Sequence, residues 1–246
     1  MDGDWIMNYA IIFAGGVGQR MNTVSLPKQF LKVQNKEIII HTLEHFEECE
    51  GVDRIVVVCK EEYIDLMKKL IKKYGITKVV TIVPGGENGQ ESIFNGLNAA
   101  NKLSTSEEDI VLIHDGVRPI ITNDVILKNI ECVKEHRACI TVAKAIETIL
   151  VLDDNEVEKV VDRTNCYLGR APQSFYLKDI YDCHLRANAE GKHYFIDSAM
   201  LMQHYGFKMY TVEGPANNIK ITTPMDFYIF KAMLDIKENE QIRIVD

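Results

Sequence analysis

Residues 8–20, NYAIIFAGGVGQR, join a short apolar run directly to a glycine-rich turn. The apolar run Asn8–Phe13 predicts a strand that ends where the glycines begin. Glycines in this place let backbone N–H groups approach a phosphate chain closely, and Arg20 and the nearby Lys28 can neutralise its charge. The stretch therefore predicts the first strand of an α/β fold and a candidate phosphate-binding turn.

Short apolar runs continue to alternate with helical patterns through the rest of the chain. Strands are predicted at Arg54–Cys59, Val79–Val83, Ile110–His114, Cys139–Val142 and Lys208–Val212. Helices are predicted at Ile38–Glu48, Glu61–Tyr74, Gln90–Asn101, Asp124–Glu135, Leu177–Ala189, Asp197–Tyr205 and from Thr223 onward. Such alternation is typical of a Rossmann-like, mostly parallel sheet flanked by helices. Because the sequence contains no linker or repeat, we predict a single domain over residues 1–246.

One segment breaks this alternation. Ile149–Asp153 and Val157–Asp162 predict two short strands joined by a polar turn at Asp154–Asn155, which together form a β-hairpin. No neighbouring segment supplies a layer against which the hairpin could pack. We therefore predict a projecting arm over about residues 144–172. Because such an arm usually packs on another subunit, we also expect a homodimer.

The composition excludes several classes of protein. A formal net charge of -8 argues against a protein that coats nucleic acid, so any anionic ligand must be held by a few focused cations. The six cysteines include no C-x-x-C pair, which argues against a zinc ribbon and against a dense disulfide framework. The start MDGDWIMNYA lacks the features of a signal peptide, and no apolar run approaches the length of a membrane span. We therefore expect a cytoplasmic protein that binds neither nucleic acid nor membrane.

Glycines and polar residues also follow two later strands. Pro84-Gly85-Gly86 ends one predicted strand, and His114–Pro119, HDGVRP, ends another. Ligands bind at the carboxyl ends of the strands in an open α/β sheet, so we expect these segments and the first turn to line one crevice. Asp115 should emerge at this edge, where a carboxylate can hold a Mg²⁺ ion that bridges phosphates. The alternative role for Asp115 is that of a helix cap or a turn acceptor.

The glycine turn matches neither of two familiar phosphate-binding loops. The dinucleotide fingerprint requires a third glycine where this chain has Met21, and an acid after the second strand where it has Cys59-Lys60. The loop G-x-x-x-x-G-K-[ST] is also absent from the sequence. An NAD-dependent oxidoreductase is therefore disfavoured, while a plain surface turn with solvated Arg20 and Lys28 stays open as an alternative.

Seven motifs occur in order along the chain: AGGVGQRM (14–21), PKQFL (27–31), PGG (84–86) followed by ESI (91–93), HDGVRP (114–119), VDR (161–163), APQSF (171–175) and NIKITTP (218–224). Together they resemble the CTP-dependent cytidylyltransferases of sugar-alcohol phosphates, over about residues 9–230. The resemblance implies a nucleotidyltransferase domain that joins CTP and a polyol phosphate to give a CDP-polyol and pyrophosphate, with Mg²⁺ as cofactor. It also implies that the arm of one subunit reaches the site of its neighbour.

The resemblance assigns roles to residues of these motifs. Nucleotide binding falls to the first turn and to the PGG and ESI motifs, at Ala14, Gly15, Gly16, Gly18, Gly85, Gly86 and Ser92. Catalytic roles fall to the charged residues Arg20, Lys28, Asp115, Arg163 and Lys220, with Asp115 beside the metal. Acceptor binding falls to Arg118, to Asp197 and to Arg163 of the arm. The implied reaction has to hold a phosphorylated acceptor, and its chemistry adds Arg170 as a further candidate.

Two positions leave the identity of the acceptor open. Ala171 and Ile196 stand where the family often has threonine, and both positions belong to the acceptor pocket. The six residues between Arg20 and Pro27, together with the sequence NIKITTP, resemble the enzymes that use ribitol 5-phosphate. D-ribitol 5-phosphate is therefore the predicted acceptor. The alternatives are 2-C-methyl-D-erythritol 4-phosphate and a non-catalytic relative that only binds nucleotides.

Overall fold

The computed structural model describes residues 6–15 and 26–243, with side chains described up to residue 236. In this part of the chain the strands are β1 (Asn8–Ala14), β2 (Lys32–Val33), β3 (Lys36–Glu37), β4 (Arg54–Cys59), β5 (Val79–Pro84), β6 (Ile110–Asp115), β7 (Ala138–Lys144), β8 (Ile149–Asp153), β9 (Glu156–Val161), β10 (Tyr167–Tyr176) and β11 (Tyr210–Glu213). The helices are α1 (Ile38–Glu48), α2 (Ile64–Tyr74), α3 (Gly89–Asn101), α4 (Asn123–His136), α5 (Leu177–Ala189), α6 (Ser198–His204) and α7 (Pro224–Arg243). None of these helices is long and apolar enough to cross a lipid bilayer. Each predicted helix and strand is present, with ends that differ by a few residues.

Seven of the strands form one sheet in the order β11-β7-β10-β6-β1-β4-β5. β10 is antiparallel to both of its neighbours, β6 and β7, whereas the other neighbouring pairs are parallel. The chain builds the sheet outward from β1 to β5 and then returns to place β6 on the other side of β1. The carboxyl ends of β1 and β6 therefore flank a topological switch point, which is where open α/β sheets bind ligands. The mostly parallel sheet predicted from the sequence is confirmed.

Helices cover both faces of this sheet, as the side chains of β1 show. Successive side chains of a strand point to opposite faces. Ile12 belongs to the core formed with α1, α2 and α4, whereas Ile11 belongs to the core formed with α3, α5 and α6. α3 packs closely on the sheet at Gly96. A Cβ at this position would come within 2.6 Å of Ile11 Cγ2 and 2.8 Å of Val58 Cγ2, so a larger residue would not fit. The glycine thus allows α3 to begin beside the carboxyl ends of the central strands.

β10 is a strand that the sequence does not predict. Gly169 and Pro172 interrupt any apolar alternation in it, and proline donates no hydrogen bond to a neighbouring strand. β10 nevertheless fills the gap between β6 and β7 and pairs with both of them. Residues 167–172, which the sequence leads us to include in the arm, therefore form the first part of a strand in the main sheet.

β8 and β9 form a separate hairpin that pairs with no other described strand. Every residue from 150 to 160 is exposed, including the apolar Leu152 at 55% and Val160 at 63%. The hairpin predicted from the sequence is confirmed. Apolar side chains exposed on both strands favour a partner surface, and the homodimer itself stays a prediction.

Candidate active site

The glycine-bearing ends of β1 and β5 meet the start of α3 around Ser92. Ser92 Oγ accepts a hydrogen bond from Gly86 N at 3.0 Å and donates one to Asn88 O at 2.8 Å. A Cβ placed on Gly15 would lie 3.6 Å from Ser92 Oγ, and a Cβ placed on Gly85 would lie 3.2 Å from it. Residues predicted to bind nucleotide from three separate segments therefore lie together.

These residues border a cavity of about 530 Å³, here called the Ser92 cavity. Its lining includes Gly15, Lys60, Gly86, Asn88 and Ser92. Gly86 has no room for a side chain, because a Cβ would lie 2.3 Å from Glu91 Cγ and 2.5 Å from Glu91 Cβ. With glycine at this position, backbone rather than side chain faces the cavity.

Lys28 lies in a short 3₁₀ turn, Lys28–Phe30, that is tied to the end of β1. The tie is a buried hydrogen bond of 2.6 Å that Gln29 Nε2 donates to Ala14 O. Lys28 is itself buried, with only 8% of its surface exposed. The turn thus holds a buried lysine next to the carboxyl end of β1. The rest of the predicted phosphate turn lies outside the described residues: Gly16, Gly18 and Arg20.

Asp115 ends β6 and lies between two cations. Its Oδ1 is 2.6 Å from Lys220 Nζ, and its Oδ2 is 2.7 Å from Arg118 Nε. Arg118 also donates a hydrogen bond of 3.0 Å through Nη1 to Asn218 O, which is 100 positions later in the chain. Asp115, Arg118 and Lys220, here called the Asp115 cluster, therefore join two motifs that are distant in sequence.

The ionisation of this region follows from its burial and its charges. Burial alone would raise the pKa of Asp115, but Lys220 and Arg118 more than offset this and lower that pKa below the ordinary aspartate value. Asp115 is therefore an anion at neutral pH. Burial also lowers the pKa of the adjacent His114 to about 4, so its imidazole is neutral. Asp115 and His114 therefore keep fixed charge states near pH 7.

A second cavity of about 340 Å³, here called the Asp115 cavity, opens over this cluster. Besides the three residues of the cluster, its lining includes Arg170, Ile196 and Asp197. Phe13 and Gly89 line both this cavity and the Ser92 cavity. The two cavities therefore adjoin at the carboxyl end of β1, with glycines around one and charges around the other.

Asp197 borders the Asp115 cavity at the start of α6. Its Oδ1 accepts a hydrogen bond of 2.8 Å from Met200 N and caps the helix, and its Oδ2 accepts one of 2.9 Å from Gln173 Nε2. Because Gln173 belongs to β10, the main sheet fixes the position of Asp197. Ala171 and Ile196, which depart from the family pattern, line the same cavity. Ala171 is buried, whereas Ile196 is 90% exposed.

Arg163 is a predicted site residue that lies apart from the others. It is exposed, in the 3₁₀ turn Arg163–Asn165 that follows the hairpin, and its guanidinium donates a hydrogen bond to Ile146 O. It lines neither the Ser92 cavity nor the Asp115 cavity. Within one chain, the described structure does not bring Arg163 to the Asp115 cluster.

Three further residues contribute to the site, and the sequence did not lead us to predict a role for them. Lys60 lines the Ser92 cavity, Gln173 positions Asp197 and Asn218 accepts a hydrogen bond from Arg118. Gln173 and Asn218 belong to the APQSF and NIKITTP motifs, so the motifs could have identified them. Lys60 follows a buried strand, and its position at the carboxyl end of β4 was the one available signal.

The described residues fit a Mg²⁺ ion only if substrate supplies most of its ligands. No group of three or more His, Cys, Asp or Glu side chains that could hold a metal occurs in the described part of the chain. Asp115 offers a single carboxylate, and both of its oxygens already contact cations. Mg²⁺ is commonly held by one or two carboxylates together with substrate phosphates. Asp115 therefore suits a metal that arrives with a nucleotide.

A cleft at the switch point of a mostly parallel sheet, lined by glycines and cations, is typical of α/β enzymes that bind phosphorylated ligands. The sequence profile of the family described as IspD, 2-C-methyl-D-erythritol 4-phosphate cytidylyltransferase, matches residues 8–236. The chain belongs to this family. The resemblance seen in the motifs is thereby confirmed, as is the reaction class of a cytidylyltransferase.

Relatives of this chain include enzymes named for two different acceptors. A ribitol-5-phosphate cytidylyltransferase of Streptococcus agalactiae is 51% identical over 238 residues, covering 96% of this chain and 99% of that protein. A 2-C-methyl-D-erythritol 4-phosphate cytidylyltransferase of Clostridium botulinum is 38% identical over 231 residues, covering 93% and 97%. The crystal structure of the 4-diphosphocytidyl-2C-methyl-D-erythritol synthase of Anaerococcus prevotii matches with a TM-score of 0.79 and 28% identity, covering 94% of this chain and 99% of that chain. The fold is therefore shared over almost the whole chain.

Proposed function

We propose that this chain transfers the cytidylyl group of CTP to D-ribitol 5-phosphate, giving CDP-ribitol and pyrophosphate. The observation that carries the proposal is the higher identity to the enzyme named for ribitol 5-phosphate, 51% against 38%. The six residues between Arg20 and Pro27 and the sequence NIKITTP support it, because they resemble the enzymes that use ribitol 5-phosphate. Ala171 and Ile196, at two positions where the family often has threonine, line the Asp115 cavity. The volume of that cavity, about 340 Å³, lies near the lower end of the ~300–1,000 Å³ usual for small-molecule pockets, which suits a small acceptor.

The proposed reaction needs positioning and charge stabilisation more than proton transfer. An oxygen of the acceptor phosphate attacks the α-phosphorus of CTP and forms a new P–O bond. The bond from the α-phosphorus to the oxygen that bridges to the β-phosphate breaks, and pyrophosphate leaves with the bonding electrons. Because the attacking oxygen is already an anion, no general base is required. The protein has to bring two anions together and to stabilise the charge that develops.

We assign CTP to the Ser92 cavity. The cytosine would face Ser92 and the backbone of Gly85 and Gly86, where glycine leaves space next to the start of α3. Ala14, Gly15, Gly16 and Gly18 would then let the triphosphate approach the end of β1. A glycine turn at a strand end provides the N–H groups for such contacts.

The cations that we assign to the triphosphate are Arg20, Lys28 and Lys220. Lys28 is held beside the end of β1 by the Gln29–Ala14 hydrogen bond. Lys220 pairs with Asp115, yet 41% of its side chain stays exposed, so its ammonium group can still reach a phosphate oxygen. The contact with Asp115 would keep Lys220 at the edge of the cleft.

We assign the acceptor to the Asp115 cavity, beside Arg118 and Asp197. Each side chain is fixed by a hydrogen bond to a residue that is distant in sequence. Arg118 donates to Asn218 O, and Asp197 accepts from Gln173. Hydrogen-bond donors and acceptors fixed in this way can select the hydroxyl groups of a polyol at little entropic cost.

Mg²⁺ is part of the proposal, with Asp115 as the described residue that would contact it. When bound with CTP, the ion would neutralise negative charge on the phosphates. Lys220 and Arg118 keep Asp115 ionised, so its carboxylate has the charge that such a contact requires.

We also propose a homodimer in which Arg163 serves the acceptor site of the partner subunit. Two observations support this arrangement: the arm exposes apolar side chains on both strands, and Arg163 lies apart from the cavities of its own chain. The proposal places the dimer in the cytoplasm, as the sequence leads us to expect. Sedimentation of the enzyme at assay concentration tests it, and a fully active monomer would contradict the role given to Arg163.

The test of the proposed function is pyrophosphate release from CTP, Mg²⁺ and ribitol 5-phosphate, with 2-C-methyl-D-erythritol 4-phosphate as the competing acceptor. We expect pyrophosphate release when CTP and ribitol 5-phosphate are both present. We also expect a higher kcat/KM for ribitol 5-phosphate than for 2-C-methyl-D-erythritol 4-phosphate. A higher kcat/KM for the methylerythritol compound would assign the enzyme to the other acceptor. Tight CTP binding without turnover on any polyol phosphate would favour a non-catalytic nucleotide-binding protein.

A further inference from the structure

Arg170 is brought into the Asp115 cavity by an irregularity in β10. Gly169 pairs with Val142 of β7, and the next pair along β10 is Gln173 with Ile140, so residues 170–172 face a single residue of β7. Pro172 has no N–H group to give to a regular ladder, which suits a bulge at this point. Bulges of this kind re-aim side chains next to active sites, and here Arg170 lines the cavity with Asp115 and Lys220.

The charges of the cavity leave Arg170 without an anion. Lys220 and Arg118 share the carboxylate of Asp115, and Asp197 is engaged by Gln173 and by the start of α6. Within the described residues Arg170 forms no ion pair, and its Nε is buried without a hydrogen-bond partner. Burial lowers the pKa of Arg170, and the nearby Arg118 lowers it further. The charged guanidinium is therefore disfavoured in this place as long as nothing binds to it.

An oxyanion is the ligand that best compensates the unpaired charge of Arg170. A planar guanidinium donates two parallel hydrogen bonds to a phosphate, and such charge-assisted bonds are about twice as strong as neutral ones. A hydroxyl group could accept a hydrogen bond from Arg170 but would leave its charge uncompensated. The cavity that Arg170 lines is the one assigned above to a phosphorylated acceptor.

We propose that Arg170 is a binding residue for the phosphate of the acceptor, and that it contributes to the selection of a phosphorylated polyol. The inference rests on the proposed function, because it takes the Asp115 cavity as the acceptor site. Each acceptor site would then have two arginines for the phosphate. Arg170 would come from the same chain as the site, and Arg163 would come from the arm of the other subunit. A phosphate-binding role for Arg170 also explains why an unpaired, partly buried charge is kept beside Arg118: the charge is compensated when the phosphate of the substrate binds.

The test compares Arg170→Gln and Arg170→Lys with the wild-type enzyme. Loss of a hydrogen bond between charged groups is expected to raise the KM for ribitol 5-phosphate about 10- to 100-fold in Arg170→Gln. The KM for CTP should change by less than about twofold, since Arg170 is assigned to the acceptor alone. Arg170→Lys keeps the charge and should recover part of the lost affinity. Arg186→Gln, which removes an exposed arginine stacked on Tyr205, is the matched control and should leave both KM values unchanged.

Thermal melting of the ligand-free variants separates binding from structure. Because the unpaired guanidinium costs free energy when nothing is bound, Arg170→Gln should melt at the wild-type temperature or above it. An unchanged acceptor KM, an equal rise of both KM values or a lower melting temperature in Arg170→Gln would each overturn the inference.

Failure of the proposed function would show itself differently, as a wild-type enzyme that releases no pyrophosphate with any acceptor. In that case calorimetric titration of inorganic phosphate into wild type and Arg170→Gln decides the inference by itself. Weaker phosphate binding by the variant would support the anion site, and equal binding would overturn it.

Discussion

Replacement of Asp115 by asparagine should destabilise the protein strongly, because it removes the carboxylate that Arg118 and Lys220 share. The Asp115 and Arg118 side chains are each 9% exposed, and their charged atoms are 2.7 Å apart. Removal of one partner from a buried pair costs about 3–5 kcal/mol, since it leaves an uncompensated buried charge. Lys220 is 41% exposed and can be hydrated again, so its share should stay below about 1 kcal/mol. We therefore expect Asp115→Asn to lower the free energy of unfolding by about 3–5 kcal/mol at pH 7.

The assay is urea unfolding followed by circular dichroism at pH 7, with Asp124→Asn as the control. Asp124 also pairs with a lysine, Lys128, at 2.8 Å, but its side chain is 67% exposed. Exposed pairs one helical turn apart contribute about 0.3–0.5 kcal/mol, so this variant should remain close to wild type. If Asp115→Asn cost no more than Asp124→Asn, the buried cluster would not have the energetic role described here.

Comparison of wild type with Asp115→Asn also gives a pH dependence of known sign. The pKa of Asp115 is lower in the folded protein than its ordinary value of 3.8. The stabilisation from its carboxylate is therefore complete above the ordinary value and is lost as pH falls through the lowered pKa. Wild type should lose its advantage over Asp115→Asn in this acidic window and keep it at higher pH. Parallel stability curves for the two proteins down to the lowest pH would refute the reasoning.

The reaction itself should respond to changes in the cations of the cleft and in the metal. Lys28→Ala should lower kcat with CTP by about 100-fold or more, because loss of one donor to a developing charge costs about 3 kcal/mol; a change below tenfold in steady-state assays would remove Lys28 from the triphosphate site. Arg163→Ala should raise the KM for ribitol 5-phosphate and leave the KM for CTP nearly unchanged, and an equal effect on both would contradict its assignment to the acceptor. Chelation of Mg²⁺ with EDTA should stop pyrophosphate release, and added Mg²⁺ should restore it. Full activity in EDTA would exclude the metal from the proposal.

The sequence predicts the parts of the fold that depend on local pattern. β1 and β6 are runs of apolar residues that have to be buried in any arrangement, and their carboxyl ends could therefore be placed at the same edge of a sheet. The hairpin of β8 and β9 was equally accessible, because a polar turn between two apolar runs is a local signal. Asp115 could be placed at the edge for the same reason: it is the first charged residue after the apolar run of β6, one position beyond His114.

The sequence does not predict features that depend on distant contacts. β10 is a strand because β6 and β7 leave a gap for it, although Gly169 and Pro172 weaken its own preference for that structure. The hydrogen bond from Arg118 to Asn218 O joins residues 100 positions apart, and no local pattern encodes it. The charge imbalance around Arg170 likewise exists only once β10 has brought that residue beside the cluster. Resemblance to a family supplied the roles of such residues, and the structure supplies the contacts on which those roles depend.

A crystal structure with CDP-ribitol and Mg²⁺ bound would test the division of the cleft most directly. We predict that the cytosine lies in the Ser92 cavity, that the ribityl chain lies in the Asp115 cavity, and that Lys220 contacts the diphosphate between them. A product molecule whose ribityl chain lay outside the Asp115 cavity, with Lys220 turned towards solvent, would contradict this prediction.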